Sequence, residues 1–195
     1  MFLYFIPPIL LYIGQISFKR SNAYYCFCVL YIVFFLCFGY MCGSDWRNYE
    51  MYYEGIDSTN LILYLLRMEP GYVLLMYLSK ILGIGFWEFA IFFKCVLCIV
   101  SIHLINKYAG EKFRYIGLIF YFTWFAYYLY IDAPFRNSIA AMLFLLSIPL
   151  LEKRKTFLYF CMAVLAFSIH TTAIFMVPLY LSLIHISEPT RLDVI

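Results

Sequence analysis

The sequence is poor in charge: 14 lysines and arginines and 11 aspartates and glutamates, 13% of 195 residues. So few charged side chains cannot cover a water-soluble domain of this length. The formal net charge is +3, and no basic run is dense enough to form a nucleic-acid patch. Histidine is scarcer still, with three in the chain. No glycine-rich phosphate loop, zinc-ligand spacing or nucleophile elbow occurs, so nothing here points to nucleotide-driven, zinc-dependent or serine-nucleophile chemistry. The first apolar run, Phe2–Phe18, lacks a basic start and a small-residue cleavage site. It reads as a retained span and not as a signal peptide. Seven cysteines are present, Cys26, Cys28, Cys37, Cys42, Cys95, Cys98 and Cys161. Cys95-x-x-Cys98 has a redox-like spacing but falls mid-helix without polar partners, so these thiols are small apolar packing groups and imply no disulfide framework.

What the chain has instead is apolar surface. Two thirds of it (66%) is hydrophobic, including 20 tyrosines and 21 phenylalanines, as expected where rings line a membrane interface. A membrane helix needs about 20 apolar residues, with about 17 tolerated. Candidate spans are Phe2–Phe18, Tyr24–Cys42, Phe86–Ile105, Tyr115–Ile131, Asn137–Leu151 and Thr156–Ile169, and a further one starts at Thr172. The expected fold is therefore all-α: a polytopic integral membrane bundle of six or seven spans with short interfacial helices. Asn137–Leu151 and Thr156–Ile169 are short for spans, and reach only part way unless tilted.

Charge placement orients the spans. Lys19 and Arg20, then Lys107, Lys112 and Arg114, then Lys153, Arg154 and Lys155 form three basic clusters. All three fall on one side, the cytoplasmic one, if the spans alternate. The opposite side then receives Asp45, Glu50, Glu54, Asp57, Glu69, Glu88, Asp132, Arg136 and His170. Asn60–Gly83 has helical apolar spacing interrupted by Arg67, Glu69, Pro70 and Lys80. The spacing predicts two short helices at the outer leaflet. A full span over Gly71–Leu82 is the alternative, and it would reverse the orientation of everything before it.

Ionisable residues beside lipid are functional candidates by default. Asp45 is positioned to cap a helix starting at Trp46. Tyr49, Tyr52 and Tyr53 are expected on one face of that helix, suited either to sugar contact or to a membrane interface. Arg47 lies in the same segment. Glu69 precedes Pro70-Gly71-Tyr72, where an acid either satisfies a helix start or serves as a base or sugar-hydroxyl acceptor. Arg136 at the outer start of a span either pairs with Asp132 or binds phosphate, whose oxygens its guanidinium matches. His170 is either structural or a proton carrier, and its outer-face company favours the second role. Lys94, inside a span, either snorkels, pairs with Glu88 or reaches a polar cavity. Asp45, Glu69 and His170 have no metal-ligand spacing signature, so no metal or cofactor is expected.

The order of these motifs is more specific than any one of them. Gly43-x-Asp45-x-x-x-Tyr49, Glu69-Pro-Gly-Tyr72, Arg136-x-x-Ile-Ala140 and Phe167-x-x-His170 together resemble the EpsG family of Wzy-like exopolysaccharide and O-antigen polymerases. The resemblance covers nearly all of Leu30–Tyr180. It departs from the family pattern at Thr171-Thr172, where Ser and Ala are usual. It implies a glycosyl-transferring polymerase in the bacterial cytoplasmic (inner) membrane, with its active face outward. Its partners would be a polyprenyl-diphosphate-linked oligosaccharide, the lipid bilayer and other polysaccharide-assembly membrane proteins. It implies Arg136, His170 and Glu69 as catalytic residues, and Asp45, Tyr49, Arg47 and Tyr72 as substrate contacts. A transporter or flippase of lipid-linked glycans is the alternative, and a non-catalytic scaffold the third. A transporter favours an internal repeat and charges spread through the spans, whereas here no repeat is evident and, apart from Lys94, the charges gather at the ends.

Leu181-Ser-Leu-Ile-His-Ile-Ser-Glu-Pro-Thr-Arg191 reads as the translation of a transposase-based sequencing adapter. Residues 1–180 are therefore expected to be a partial polymerase domain truncated at its C-terminus, and 181–195 a non-native tail. His185, Glu188, Arg191 and Asp193 are accordingly set aside from the candidate sites.

Overall fold

The structure is a computed structural model, described for residues 2–39, 41, 45–126, 128–132 and 135–187. Cys42, Gly43, Ser44, Ala133, Pro134, Glu188, Arg191 and Asp193 lie outside the described residues, as do the side chains of Asp132 and His185. Among the described residues every regular element is helical. In chain order these are α1 (Ile6–Ser17), α2 (Asn22–Cys37), α3 (Trp46–Gly55), α4 (Leu61–Arg67), α5 (Pro70–Ile81), α6 (Phe86–Phe120), α7 (Phe135–Glu152), α8 (Thr156–Ile169) and α9 (Met176–Ser187). Wider π-type turns follow α6 at Tyr121–Ala126 and Tyr128–Asp132, and a tight 3-10 turn, Thr171–Phe175, leads into α9.

Helical residues 86–120 are two legs, not one rod. Gly110 breaks them, with φ 62° and ψ 178°, a backbone conformation open in practice to glycine alone. In an unbroken helix Ser101 and Tyr121 would be about 30 Å apart along the axis. Instead the Tyr121 hydroxyl donates to Ser101 Oγ at 2.9 Å, so the chain doubles back. Bonds of this kind between apolar helices contribute about 0.6 kcal/mol on average. The helical legs on either side of Gly110 thus lie antiparallel, as a hairpin. Phe86–Ala126 and Phe135–Glu152 are each long and apolar enough to cross a membrane, and Leu3–Ser17, Asn22–Cys37, Thr156–Ile169 and Thr171–Ser182 are shorter apolar helices. The Asn137–Leu151 expectation is corrected outward to Phe135–Glu152, 18 residues or about 27 Å, close to the ~30 Å of a bilayer core.

Buried and exposed faces are both apolar. Leu36, Cys37, Leu97, Cys98, Tyr115 and Tyr159 fill the interior, while Phe34 (67% exposed) and Val164 (69% exposed) point outward. A surface this apolar is built for lipid contact. Apart from Lys94, charge gathers toward the ends. Arg114 reaches Asn22 beside Lys19 and Arg20, and Lys107 bonds Glu152 at the far end of α7. The three basic clusters therefore gather at one end, as charge placement in the sequence predicts.

The Asn60–Gly83 segment forms two short helices, as the spacing predicts. Glu69 is extended (φ −60°, ψ 126°) and Pro70 opens α5, where its missing N–H is harmless. α5 has 12 residues, about 18 Å, too short to span a bilayer core. Lys80 has a structural use: its ammonium donates to the carbonyls of Tyr53 and Glu54 at the C-terminus of α3, where a cation is favoured.

Replacing Gly110 with Ala should cost about 1–3 kcal/mol, because a Cβ is disfavoured at this φ and ψ. The expected readout is a lowered Tm in detergent; an unchanged Tm would mean that the hairpin turn is not formed as described.

Candidate active site at one end of the bundle

The α7–α8 hairpin brings two distant residues to one end. Arg136 is the second residue of α7, and His170 directly follows the last residue of α8. Since the helices are antiparallel, the start of one lies beside the finish of the other. α5 adds the third group. Gly71 packs so closely on α8 that a Cβ there would fall 2.9 Å from backbone atoms of Ser168. Any larger residue must push α5 and α8 apart. With glycine, Glu69 is carried to within bonding reach of both other groups.

Glu69 is the bridge. Its Oε2 accepts from Arg136 Nη1, and its Oε1 lies 3.0 Å from His170 Nδ1. The side chains are 16% (Glu69), 25% (Arg136) and 17% (His170) exposed, so the cluster is largely withdrawn from solvent yet reachable. Burial pushes the Glu69 carboxyl up. The hydrogen bond to His170, a backbone N–H and the Arg136 charge outweigh that, and its pKa falls below the ordinary 4.5. Glu69 is therefore an anion at neutral pH, better suited to orienting a base than to being one.

An aromatic floor supports the cluster. Arg136 Nε donates a long 3.5 Å hydrogen bond to the Tyr49 hydroxyl, and its guanidinium lies 5.9 Å from the Tyr49 ring centroid. Tyr49 packs edge-on to Tyr72 at 6.0 Å, and Phe135 touches both at 6.3 and 6.4 Å. The Tyr72 side chain is fully buried, and its hydroxyl has no hydrogen-bond partner among the described residues. Burial holds its pKa well above the ordinary tyrosine range. Burial also raises Tyr49, although Arg136 opposes the shift.

A model of the EpsG family matches residues 2–190. The chain belongs to the EpsG family. No curated protein and no solved structure matches it. Family and apolar helices together make this a polysaccharide polymerase-like membrane protein. In this EpsG-family chain, five of the seven expected site residues gather in one cluster: Glu69, Arg136 and His170, with Tyr49 and Tyr72 beneath them.

The other two do not join. Asp45 precedes α3 but makes no side-chain capping bond, because its backbone (φ −101°, ψ −6°) is not extended as a capping residue's is. It lines a small cavity of about 40 Å³ on the other side of Tyr49, with Trp46, Trp87, Lys94, Tyr130 and Phe135. Lys94 thus reaches an internal cavity, whereas Glu88 is exposed. Arg47 is also exposed, its guanidinium 5.3 Å from the Trp46 ring centroid, because one helical step past Trp46 turns it away from the cluster. The three-tyrosine face splits as well. Tyr49 and Tyr53, four apart, are buried, while Tyr52 turns outward against Tyr64. Arg136 pairs with Glu69; the Asp132 side chain, its other expected partner, lies outside the described residues. Among the described residues no three His, Cys, Asp or Glu side chains are placed to hold a metal ion.

Sequence reading overlooked Phe135 and Gly71. Phe135 anchors the start of α7 by packing on Tyr49, Tyr72, Phe89 and Phe93. The signal for Phe135 was its position beside Arg136. Gly71 was visible in the Glu69-Pro-Gly-Tyr72 string, but its partner Ser168 is about a hundred residues away. Trp87 was also missed; its Nε1 donates to Glu50 at 3.0 Å and helps tie α3 to α6.

Because the Glu69 pKa is depressed, its contribution to stability is complete above pH about 4.5 and is lost as pH falls through the depressed value. Glu69→Gln should therefore lower Tm at neutral pH and flatten the fall in Tm below pH 4.5. An unaltered acid limb would show that the carboxylate is not bonded as described. Tyr72→Phe removes a buried hydroxyl that has no partner, and should leave Tm unchanged or raise it by an amount worth up to about 1 kcal/mol. A drop in Tm would reveal a partner for that hydroxyl.

Proposed function

We propose that this EpsG-family chain carries the site of a membrane polymerase that joins polyprenyl-diphosphate-linked oligosaccharide repeat units. The observation that carries the reading is the Glu69 bridge: one carboxylate holds an imidazole and a guanidinium side by side at the less basic end of an apolar bundle. Such a pair provides the two things glycosyl transfer from a diphosphate requires, a base for the acceptor hydroxyl and a cation for the leaving group.

With Glu69 accepting from Nδ1–H, neutral His170 presents Nε2 as the proton acceptor. Nε2 takes the proton of an acceptor sugar hydroxyl as its oxygen bonds to the anomeric carbon of the growing chain. The bond from that carbon to the lipid diphosphate breaks, and the diphosphate departs with the electron pair. Arg136 stabilises the charge on its oxygens, for which a guanidinium fork is well shaped. Glu69 positions both side chains and keeps the imidazole oriented, as a carboxylate does for a histidine base in hydrolases. Tyr49 and Tyr72 form the floor against which a sugar ring packs, and Asp45 serves the neighbouring cavity.

In this reading the chain crosses the bacterial cytoplasmic membrane six or seven times, with the basic end inside and the Glu69 cluster outside. α4 and α5 lie at the outer interface. The long apolar helices support a lipid-linked substrate, which needs a site at membrane depth. A flippase is the second reading, favoured by the placement of Lys94 with Asp45 in an internal cavity.

The test uses the full gene in a bacterial strain lacking its own polymerase and supplied with the matching repeat-unit pathway. Lipid-linked glycans are then resolved on a gel. A ladder of long chains is expected with the wild type. Arg136→Ala and His170→Ala should each reduce it by at least about a hundredfold, the usual contribution of general base or charge stabilisation. Unchanged chain length and yield in both variants would remove these roles. Repeat units trapped on the inner face until the protein is expressed would favour the flippase.

A further inference from the structure

The opposite end of the bundle holds a second polar site. A cavity of about 520 Å³ opens between the α1–α2 turn and the helical turn that follows Gly110. It is lined by Lys19, Arg20, Asn22, Glu111, Lys112 and Arg114, four cations against one carboxylate. α7, about 27 Å long, separates this end from the Glu69 cluster, so one bound group cannot touch both.

Arg114 makes this more than a scatter of surface lysines. It is only 8% exposed. Its Nη1 donates to Asn22 Oδ1 at 2.9 Å, and Nη2 lies 3.5 Å from the carbonyls of Lys19 and Ser21. The guanidinium carbon sits 4.3 Å from the Tyr25 ring centroid, a cation–π contact. These partners are all neutral, and Nε is buried with no hydrogen-bond acceptor among the described residues. A guanidinium offers five donors, and here part of that capacity is unmatched, with Glu111 the one carboxylate among the residues lining the cavity. Lys107, by contrast, is paired with Glu152 at 2.5 Å.

Ile16, Phe18 and Phe113, neighbours in sequence of the lining cations, are 64%, 43% and 48% exposed. A cationic recess at the end of an apolar bundle, with exposed apolar side chains close in sequence to its lining cations, matches a phosphate group that carries acyl chains. We propose that this cavity binds a phosphate-bearing anion, supplied by the phosphodiester headgroup of a membrane lipid. The phosphate accepts from Arg114 and the flanking lysines, and the chains lie over Ile16 and Phe18. The bound headgroup ties the α1–α2 turn to the α6 hairpin.

The test is thermal unfolding of the full chain in a neutral detergent, titrated separately with phosphatidylglycerol, phosphatidylcholine and inorganic phosphate. Phosphatidylglycerol should raise Tm at concentrations where phosphatidylcholine does not, and the gain should shrink with added salt. Lys19→Gln and Lys112→Gln change exposed side chains and leave packing intact. Each should weaken the apparent affinity about fivefold. Arg114→Gln should abolish the response if it folds, and the two lysine variants decide the matter if it does not. Protection by inorganic phosphate with no further gain from phosphatidylglycerol would keep the anion site but assign the phosphate to a soluble source. Equal protection by both lipids, or a phosphatidylglycerol response unchanged in the Lys19→Gln/Lys112→Gln double variant, would overturn the proposal.

Discussion

One carboxylate organises the candidate site. Glu69 is bonded at the same time to Arg136 at the start of α7 and to His170 at the end of α8. A guanidinium withdrawn from water without a counter-charge is strongly unfavourable, and a lone carboxylate is no better. The pair is tolerated because each offsets the desolvation of the other, and the imidazole occupies the remaining carboxylate oxygen. Helices α5, α7 and α8 must therefore converge for any of these groups to be buried. The reverse also holds, since Gly71 against Ser168 and Phe135 against Tyr49 and Tyr72 bring the helices close enough for the bonds to form.

The rest of the molecule is arranged around the separation of its two ends. Between them the helices are apolar inside and out, which suits a lipid surrounding and leaves little hydrophobic drive for helix association. Close packing and buried hydroxyl bonds such as Tyr121 to Ser101 and Tyr159 to the Met176 carbonyl take over that task. At one end Arg114, Lys107 and their neighbours bind turns together with neutral groups or a single carboxylate. At the other the charges meet one another directly. At the Glu69 end an imidazole and a guanidinium lie side by side on one carboxylate.

Much of this organisation was legible in the residues. The basic clusters, the apolar runs, the short helices at 60–83 and the helix start at Pro70 all follow from local chemistry: sidedness of charge, hydrophobic length and the restrictions of proline. Glu69, Arg136 and His170 stood out because ionisable groups are rare in such a chain. What local reading misjudged was direction. Asp45 occupies the capping position without capping, since its own backbone is helical rather than extended. Arg47 and Tyr52 share a helix with Tyr49 yet face away from it, because each position turns by about 100°.

By itself the sequence determined the helical class, the polarity of the two ends and which ionisable side chains stand out, because these depend on composition and short-range spacing. Only the tertiary structure decided that Glu69 is a partner of Arg136, that Gly71 admits Ser168, and that Gly110 folds helical residues 86–120 into two legs. Each of those rests on contact between residues distant in the chain or on a backbone angle that many glycines could adopt and few do. No local pattern specifies which distant helix will fill a gap, and packing settles that once all the helices are present together.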